Sequence, residues 1–204
     1  MSTFSNQANS IDNFIRANDP DTNFGTLTIG YIGEDFVDTG EVNRLLIKWD
    51  LSTIPANAVV NSAILSLYVT ADRSSNARTL RAYRVLRAWT EEGSTWNKYD
   101  GSNAWGTAGC GNTTTDREAT DIGNTTQPAS PNVGDEIAIT LTASKVQEWI
   151  SGVLTNNGLL LKVDTETDDS IQYAMHEHAT AGYRPKLVIE YTVPAGGAFL
   201  FSMI

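Results

Sequence analysis

Apolar side chains recur at about every second position through most of this chain. The pattern is densest in residues 43–68, where two apolar runs flank a turn that contains Pro55. β-Branched and aromatic residues with a period near two, bounded by Pro and Asn, are typical of β-strands with a buried face. Both runs are more apolar than half-exposed strands usually are. We therefore expect two paired strands here, at the centre of a sheet.

Similar alternating runs predict further strands along the chain. They occupy residues 11–16, 26–32, 79–86, 136–141, 158–163, 170–175 and 185–191. One segment differs, because residues 143–151 follow Thr142 as a candidate N-cap and have apolar positions three to four apart, which predicts a short helix. Many strands without βαβ alternation predict an all-β fold, namely an antiparallel two-sheet β-sandwich that is jelly-roll-like.

The chain has the size and composition of one large folded domain. It contains 204 residues, of which 41% are hydrophobic and 19% are charged. We place the β-sandwich domain at residues 11–193, between a polar N-terminal arm at residues 1–10 and a hydrophobic C-terminal tail at residues 194–204. Residues 97–134 form a long polar excursion. A loop of this length is either functional or contains short strands that the pattern does not reveal.

Charge and cysteine content exclude several classes of protein. The net charge of -10 and the isoelectric point of about 4.5 disfavour nucleic acid as a partner. The densest basic stretch is residues 78–87, and on a strand its four arginines would be divided between the two faces, so they would not form one basic stripe. We expect them to be charges that face the solvent. Cys110 is the single cysteine, so an internal disulfide framework and a cysteine-rich zinc site are excluded. No membrane span or signal peptide is evident.

The tail is the most unusual segment of the sequence. A Gly196-Gly197 spacer precedes five large apolar residues, which are Phe199, Leu200, Phe201, Met203 and Ile204. Such a segment promotes aggregation unless it is buried on its own domain or in a partner. A simple closing strand would need no spacer, so we expect the tail to dock on a protein partner and the chain to be part of an oligomer or larger assembly.

Aromatic and amide side chains gather near the long excursion. Trp96, Asn97, Tyr99, Asn103 and Trp105 lie within ten residues of one another. Because sugar sites combine an aromatic face with amides that reach the hydroxyls, these five are candidate glycan-binding residues, and if one of the aromatic residues is exposed we expect it to be Trp105 or Tyr99. The alternative is that they pin the loop onto the sandwich. The tryptophans expected in the core or at corners are Trp49, Trp89 and Trp149.

An acidic loop offers candidate calcium ligands. Asp164, Glu166 and Asp168 supply the hard carboxylate oxygens that Ca²⁺ prefers, and residues 18–23 form a second loop of this kind. Neither loop has the spacing of an EF-hand. The alternative is a solvated acidic turn, and no other cofactor is expected.

Two histidines suggest a different chemistry. His176 and His178 flank Glu177, and on a strand the two imidazoles would share one face, as a pair of metal ligands requires. A general acid–base pair is also conceivable. The alternative is that both histidines face solvent or form ordinary hydrogen bonds.

An ordered series of short motifs resembles a known family. The central motif is Arg44 to Ser52 (RLLIKWDLS), followed by Ile54-Pro55. The other matching segments are residues 21–25, 63–68, 89–91, 95–97, 149, 157–161, 176–177 and 184–191. Together they resemble the DNRLRE-domain, or disaggregatase-related, group, which overlaps with carbohydrate-binding modules. The resemblance implies a β-sandwich with a non-catalytic role, often attached to extracellular polysaccharide-acting or surface proteins.

The sequence therefore leads to an expectation about function with two alternatives. We expect a non-catalytic binding and structural module that is docked by its tail on a larger assembly and can bind surface glycans. By analogy, a free-standing sandwich with such a tail resembles a bacteriophage virion component, such as a capsid decoration, fibre or tail protein. The location would then be a virion or an extracellular surface. The alternatives are a carbohydrate-binding module of a secreted enzyme and a glycan hydrolase.

Overall fold

The computed structural model describes residues 1–34, 40–167 and 169–194. Within these ranges the chain forms eleven β-strands, one α-helix and one short 3₁₀ turn, and every strand pairing is antiparallel. The strands are β1 (Ser2–Asn6), β2 (Ser10–Arg16), β3 (Ile29–Glu34), β4 (Val42–Trp49), β5 (Val59–Arg73), β6 (Arg78–Arg84), β7 (Gly123–Gln127), β8 (Glu136–Leu141), β9 (Leu159–Val163), β10 (Ser170–Ala174) and β11 (Lys186–Thr192). The all-β prediction is confirmed.

The strands form two layers that share one long strand. The first layer contains β1, β11, β5 and β8, and the second contains β2, β3, β4, β6, β7, β9 and β10. β5 belongs to both, because its residues 59–68 pair with β11 and β8 whereas its residues 69–73 pair with β10. The main hydrophobic core lies between the layers and is built from alternate residues of each strand.

The two apolar runs of residues 43–68 do not pair with each other. β4 pairs with β2, β3 and β9, whereas β5 pairs with β8, β10 and β11, so the predicted pairing is wrong. Each strand nevertheless lies at the centre of its own layer, as expected. The connection between them crosses from one layer to the other and buries Leu51, Ile54 and Ala58 in the core. Periodicity shows which residues are buried. It does not distinguish two strands that pair within one layer from two strands that face each other across the core, because both give the same pattern.

A second hydrophobic cluster explains why Leu46 interrupts the alternation of buried and less buried residues in β4. Leu45 and Ile47 point into the main core, whereas Leu46 points outward and packs in a cluster with Trp89 and Trp105 from the long connection after β6. That connection covers the outer face of the second layer. A strand that is covered on both faces loses the usual alternation of apolar and polar residues.

Other predicted elements agree with the structure to different degrees. The helix is confirmed as α1 (Ala143–Ile150), and β8 has the predicted bounds. Residues 1–10, predicted as an arm, instead contain β1, which pairs with β11 at the edge of the first layer. β7 is a short strand within the long polar excursion, one of the two outcomes considered for it. The apolar tail, residues 195–204, lies outside the described residues.

Candidate functional site

A cleft of about 590 Å³ opens at the end of the sandwich where β4 finishes. We call it the end cleft. Its wall contains Trp49, residues 50–56 of the following connection, and Trp149 near the end of α1. This volume falls within the range of about 300–1,000 Å³ that is usual for small-ligand sites. The cleft is therefore large enough for one or two sugar rings.

Local hydrogen bonds give the end cleft its shape. Asp50 follows the last residue of β4, and its Oδ1 accepts a hydrogen bond from the Ser52 amide at 2.8 Å. Two turns follow, closed by the Ile54 amide and the Ala58 amide. On the opposite side, Asn156 Nδ2 donates to the Trp49 carbonyl oxygen at 2.9 Å. The side-chain amide thus ties the segment before β9 to the end of β4.

The polar groups of the end cleft are few and distinct. Asp50 is exposed, and the hydrogen bonds from Ser52 lower the pKa of its carboxyl group, so it is ionised at neutral pH. Both the amide and the hydroxyl of Ser52 interact with this carboxylate, which keeps further acceptor sites for a ligand. Lys48 also contributes to the wall, but its Nζ donates to the Trp89 carbonyl oxygen at 3.0 Å, and burial lowers the pKa of this amine. Asp50 is therefore the charged group most available to a ligand.

Both tryptophans of the end cleft are core residues, as expected. Trp49 is 4% exposed and Trp149 is 8% exposed. Their indole Nε1 atoms are buried and donate no hydrogen bond within the described residues. Buried donors normally have partners. The sequence interpretation assigned both residues to packing alone and did not find that they also form a wall of a cleft.

The five predicted glycan-binding residues all have partners within the protein. Trp105 is 5% exposed and donates from Nε1 to the Thr95 carbonyl oxygen at 3.0 Å, so its ring does not offer an exposed face. The contacts of the other four are Arg44 over the Trp96 ring, Arg87 over the Tyr99 ring, Asn97 donating to Asp21, and Asn103 donating to Asp100. The Arg44 contact joins the loop to β4, and the other contacts are made within the connection or with the loop before β3. Glycan binding by these residues stays a prediction.

The predicted calcium loop is engaged by cations and amides of the protein. Glu166 accepts from Arg44 Nε at 2.7 Å and from Lys162 Nζ at 3.0 Å. Although burial opposes ionisation, the guanidinium of Arg44 holds the pKa of Glu166 below its ordinary value. Asp164 accepts from the Thr79 and Thr165 amides, and Asp168 lies outside the described residues. Calcium binding by this loop stays a prediction.

The four arginines of residues 78–87 are all paired with carboxylates. The pairs are Arg78 with Asp169, Arg81 with Asp121, Arg84 with Glu118 and Glu148, and Arg87 with Asp116. Arg84 is only 1% exposed, so the interpretation of these residues as solvent-facing charges is wrong for that position. Glu118 from a loop and Glu148 from α1 compensate the buried positive charge of Arg84.

The two histidines have different environments. His176 lies in a turn after β10, where its Nδ1 is 3.5 Å from Asp12 Oδ1 and 3.3 Å from Glu91 Oε1. His178 instead packs on the Tyr183 ring and accepts from the Thr180 amide. The expectation that both would share one strand face is wrong, because the strand ends at Ala174.

The carboxylates around His176 have altered acidities. The adjacent Asp12 carboxylate raises the pKa of His176, although burial opposes this. Burial raises the pKa of Glu91 and of Glu177. Asp12 itself is fully buried and accepts from the His176 amide at 3.0 Å. The sequence separations of 79 and 164 residues explain why no local motif indicated this cluster.

These observations define the chain as an all-β sandwich with an open cleft at one end. A family model for the disaggregatase related repeat domain matches residues 12–189, which extend from β2 into β11. The chain belongs to the disaggregatase related repeat domain family. No curated protein sequence matches it at a significant level. No helix within the described ranges is long and apolar enough to cross a membrane.

Proposed function

We propose that this chain is a non-catalytic module that binds a neutral carbohydrate in the end cleft and is held by its C-terminal tail on a larger assembly, such as a bacteriophage virion or a cell surface. The observation that carries the binding half of this proposal is the end cleft itself. Its wall combines aromatic edges with one exposed carboxylate, Asp50.

The chemistry of the end cleft suits an uncharged sugar. Sugars present apolar C–H faces, which can pack on Pro55, Ile54 and the tryptophan edges, and hydroxyl groups, which can donate to Asp50 Oδ2. A hydrogen bond to an ionised group contributes about 1.5–3 kcal/mol. The exposed Asp50 and the net charge of -10 both disfavour an anionic polysaccharide.

The end cleft also supports a binding role over glycoside hydrolysis. Hydrolysis usually needs two carboxyl groups on either side of the bond, about 5–10 Å apart. Among the described residues that line the cleft, Asp50 is the only acid. The acids around His176 do not line this cleft, so they cannot act on a sugar bound there.

A glycan array followed by calorimetric titration of the strongest ligand tests the binding proposal. We expect Asp50→Ala to weaken binding at least about tenfold, because the ligand loses a charge-assisted hydrogen bond. Asn103→Ala is the matched variant in the alternative site, and we expect it to leave the affinity unchanged. The reverse pattern would move the binding site to the 97–105 loop. Release of shorter sugars from the ligand would instead identify a hydrolase.

The assembly half of the proposal depends on the tail. β11 ends at Thr192, and the next two residues, Val193 and Pro194, are exposed. The chain therefore leaves the sandwich at its surface. Five large apolar residues lie within the next ten positions of the sequence. Apolar side chains of this number favour burial in a partner.

Deletion of residues 195–204 separates an assembly module from a stand-alone carbohydrate-binding module. We expect the shortened chain to keep its melting temperature and glycan affinity but to lose co-sedimentation with the native particle or oligomer. The double substitution Phe199→Ser and Phe201→Ser, which keeps the length, should reproduce this loss. Unchanged co-sedimentation of both variants would refute docking by the tail and favour the stand-alone module.

A further inference from the structure

A cluster of one imidazole and two carboxylates lies outside the end cleft. It consists of Asp12 from β2, Glu91 from the connection after β6, and His176 from the turn after β10, and we call it the His176 cluster. One ligand atom from each residue lies within 4.8 Å of the others. We propose that the His176 cluster binds one divalent transition-metal ion, with Zn²⁺ as the preferred ion, and that this ion acts as a structural clip.

The distances in the cluster fit a tetrahedral ion. Ligand atoms about 2.0–2.1 Å from a tetrahedral Zn²⁺ lie about 3.3–3.4 Å from each other. His176 Nδ1 is 3.3 Å from Glu91 Oε1 and 3.5 Å from Asp12 Oδ1. An ion can therefore enter between these three atoms with only small side-chain movements.

His176 Nδ1 points between the two carboxylates of the cluster. This atom is buried and forms no hydrogen bond within the described residues, although it faces two carboxylate oxygens. A ring nitrogen that faces two carboxylate oxygens must carry either a proton or a metal ion, and the same geometry suits both. Asp12 is 0% exposed, so an uncompensated negative charge on its carboxylate would strongly destabilise the fold.

Surrounding groups hold the three ligands in place. His176 Nε2 lies 3.1 Å from Glu177 Oε1, so a carboxylate stands at the ring nitrogen opposite the one that faces the cluster. Metal-binding histidines usually have such a partner, which fixes the orientation of the ring. Glu91 Oε1 accepts from the Asp12 amide at 2.8 Å, and both Asp12 oxygens accept from the His176 amide. The backbone amides of Asp12 and His176 thus position the side chains of Glu91 and Asp12.

The donor set selects the kind of ion. Ca²⁺ and Mg²⁺ prefer oxygen ligands throughout, whereas an imidazole with two carboxylates suits Zn²⁺ and related transition metals. The ligands also come from distant parts of the chain, with separations of 79 and 164 residues. An ion that binds only the folded chain stabilises it in proportion to its concentration relative to the dissociation constant.

Metal titration of the purified, chelator-treated chain tests the proposal without any glycan. We expect one equivalent of Zn²⁺ to bind, to raise the melting temperature, and to be replaceable by Co²⁺ with the visible spectrum of a tetrahedral site. Ca²⁺ and Mg²⁺ should have little effect. His176→Gln should weaken Zn²⁺ binding by more than about 100-fold, and Glu177→Gln by about 10–100-fold.

His178→Gln is the matched control, because it removes a histidine two positions away that lies outside the cluster. We expect this variant to bind Zn²⁺ like the original chain. Asp12→Asn keeps the side-chain volume and provides a second test if His176→Gln does not fold. The proposal is refuted if no saturable binding occurs, which would leave His176 as a protonated ion-pair partner, or if only His178→Gln removes binding. Neither outcome bears on the end cleft.

Discussion

Replacement of Asp116 by alanine is expected to lower the free energy of unfolding by about 3–5 kcal/mol and to expose Cys110. Asp116 is 0% exposed, and its carboxylate accepts from the amides of Gly106, Thr107 and Asn112 at 2.8–3.0 Å. It also pairs with Arg87 Nε at 3.0 Å. One side chain thus closes the loop that covers the second hydrophobic cluster.

The single cysteine provides a local measurement of this effect. Cys110 is 0% exposed in the same loop, and burial raises the pKa of its thiol, so it should react very slowly with an aromatic disulfide reagent. We expect Asp116→Ala to increase the reaction rate by at least about 100-fold, together with a lower midpoint of urea unfolding. The rate should rise because the backbone amides that lose the Asp116 carboxylate as their acceptor no longer hold the loop closed over Cys110.

Asp100→Ala is the control for this experiment. Asp100 also accepts from backbone amides, those of Ser102 and Asn103, but in an exposed turn. We expect a much smaller change in the midpoint of urea unfolding and an unchanged thiol reaction rate. An Asp116→Ala chain with the original stability and thiol reactivity would show that the loop does not depend on this carboxylate.

Replacement of Asp169 by asparagine is the second change expected to have a large effect, about 2–4 kcal/mol at neutral pH. The buried carboxylate accepts from the amides of Ser75 and Asn76 at 2.6 and 2.9 Å and pairs with Arg78. Its own backbone oxygen approaches Gly33, where a Cβ atom would lie only 2.1 Å away. Asp169 therefore joins the β5–β6 turn to the start of β10.

The effect of Asp169→Asn should depend on pH. Although burial opposes ionisation, the hydrogen bonds from Ser75 and Asn76 lower the pKa of Asp169 below its ordinary value of 3.8. A carboxyl group with a lowered folded-state pKa stabilises the fold fully above its unfolded pKa, and this contribution is lost as the pH falls through the folded pKa. The difference in stability between the two chains should thus be constant at neutral pH and shrink below about pH 4.

Urea unfolding between pH 2.5 and 7 measures this difference. Asp19→Asn is the control, since Asp19 forms an exposed ion pair with Arg16, and we expect it to change stability by less than about 1 kcal/mol at every pH. A difference between Asp169→Asn and the original chain that stays the same at low pH would show that ionisation of Asp169 is not the source of the stability.

The sequence predicted the class of fold because burial in a sandwich follows a local rule. Glu136–Leu141 alternates exposed and buried residues along its whole length, and both bounds of that strand were predicted. Pairing is not local in the same way. β4 pairs with β2 through residues 27 to 39 positions away and with β9 through residues more than 100 positions away, so the pattern predicted the correct strand but the wrong neighbour.

The candidate sites were less predictable for a related reason. Trp49 and Trp149 have the spacing of core residues, and they are core residues, so their second role in the cleft leaves no trace in the pattern. The partners of His176 were equally hidden, since Asp12 lies within a strand that was predicted for its apolar residues. His176 was identified as a candidate ligand, but with His178, because only neighbours in sequence could be paired without a structure.

The pairing of β1 with β11 determines how the module would respond to a pulling force. Ser2 stands opposite Tyr191, so the chain enters and leaves the sandwich side by side at one corner. Tension on the two ends would break the hydrogen bonds of this pair one after another, as in unzipping, instead of loading them together in shear. In a row of such repeats under tension, each sandwich would lie to one side of the line along which the force acts. β1 would separate from β11 and lengthen the chain before the force reached the hydrophobic core.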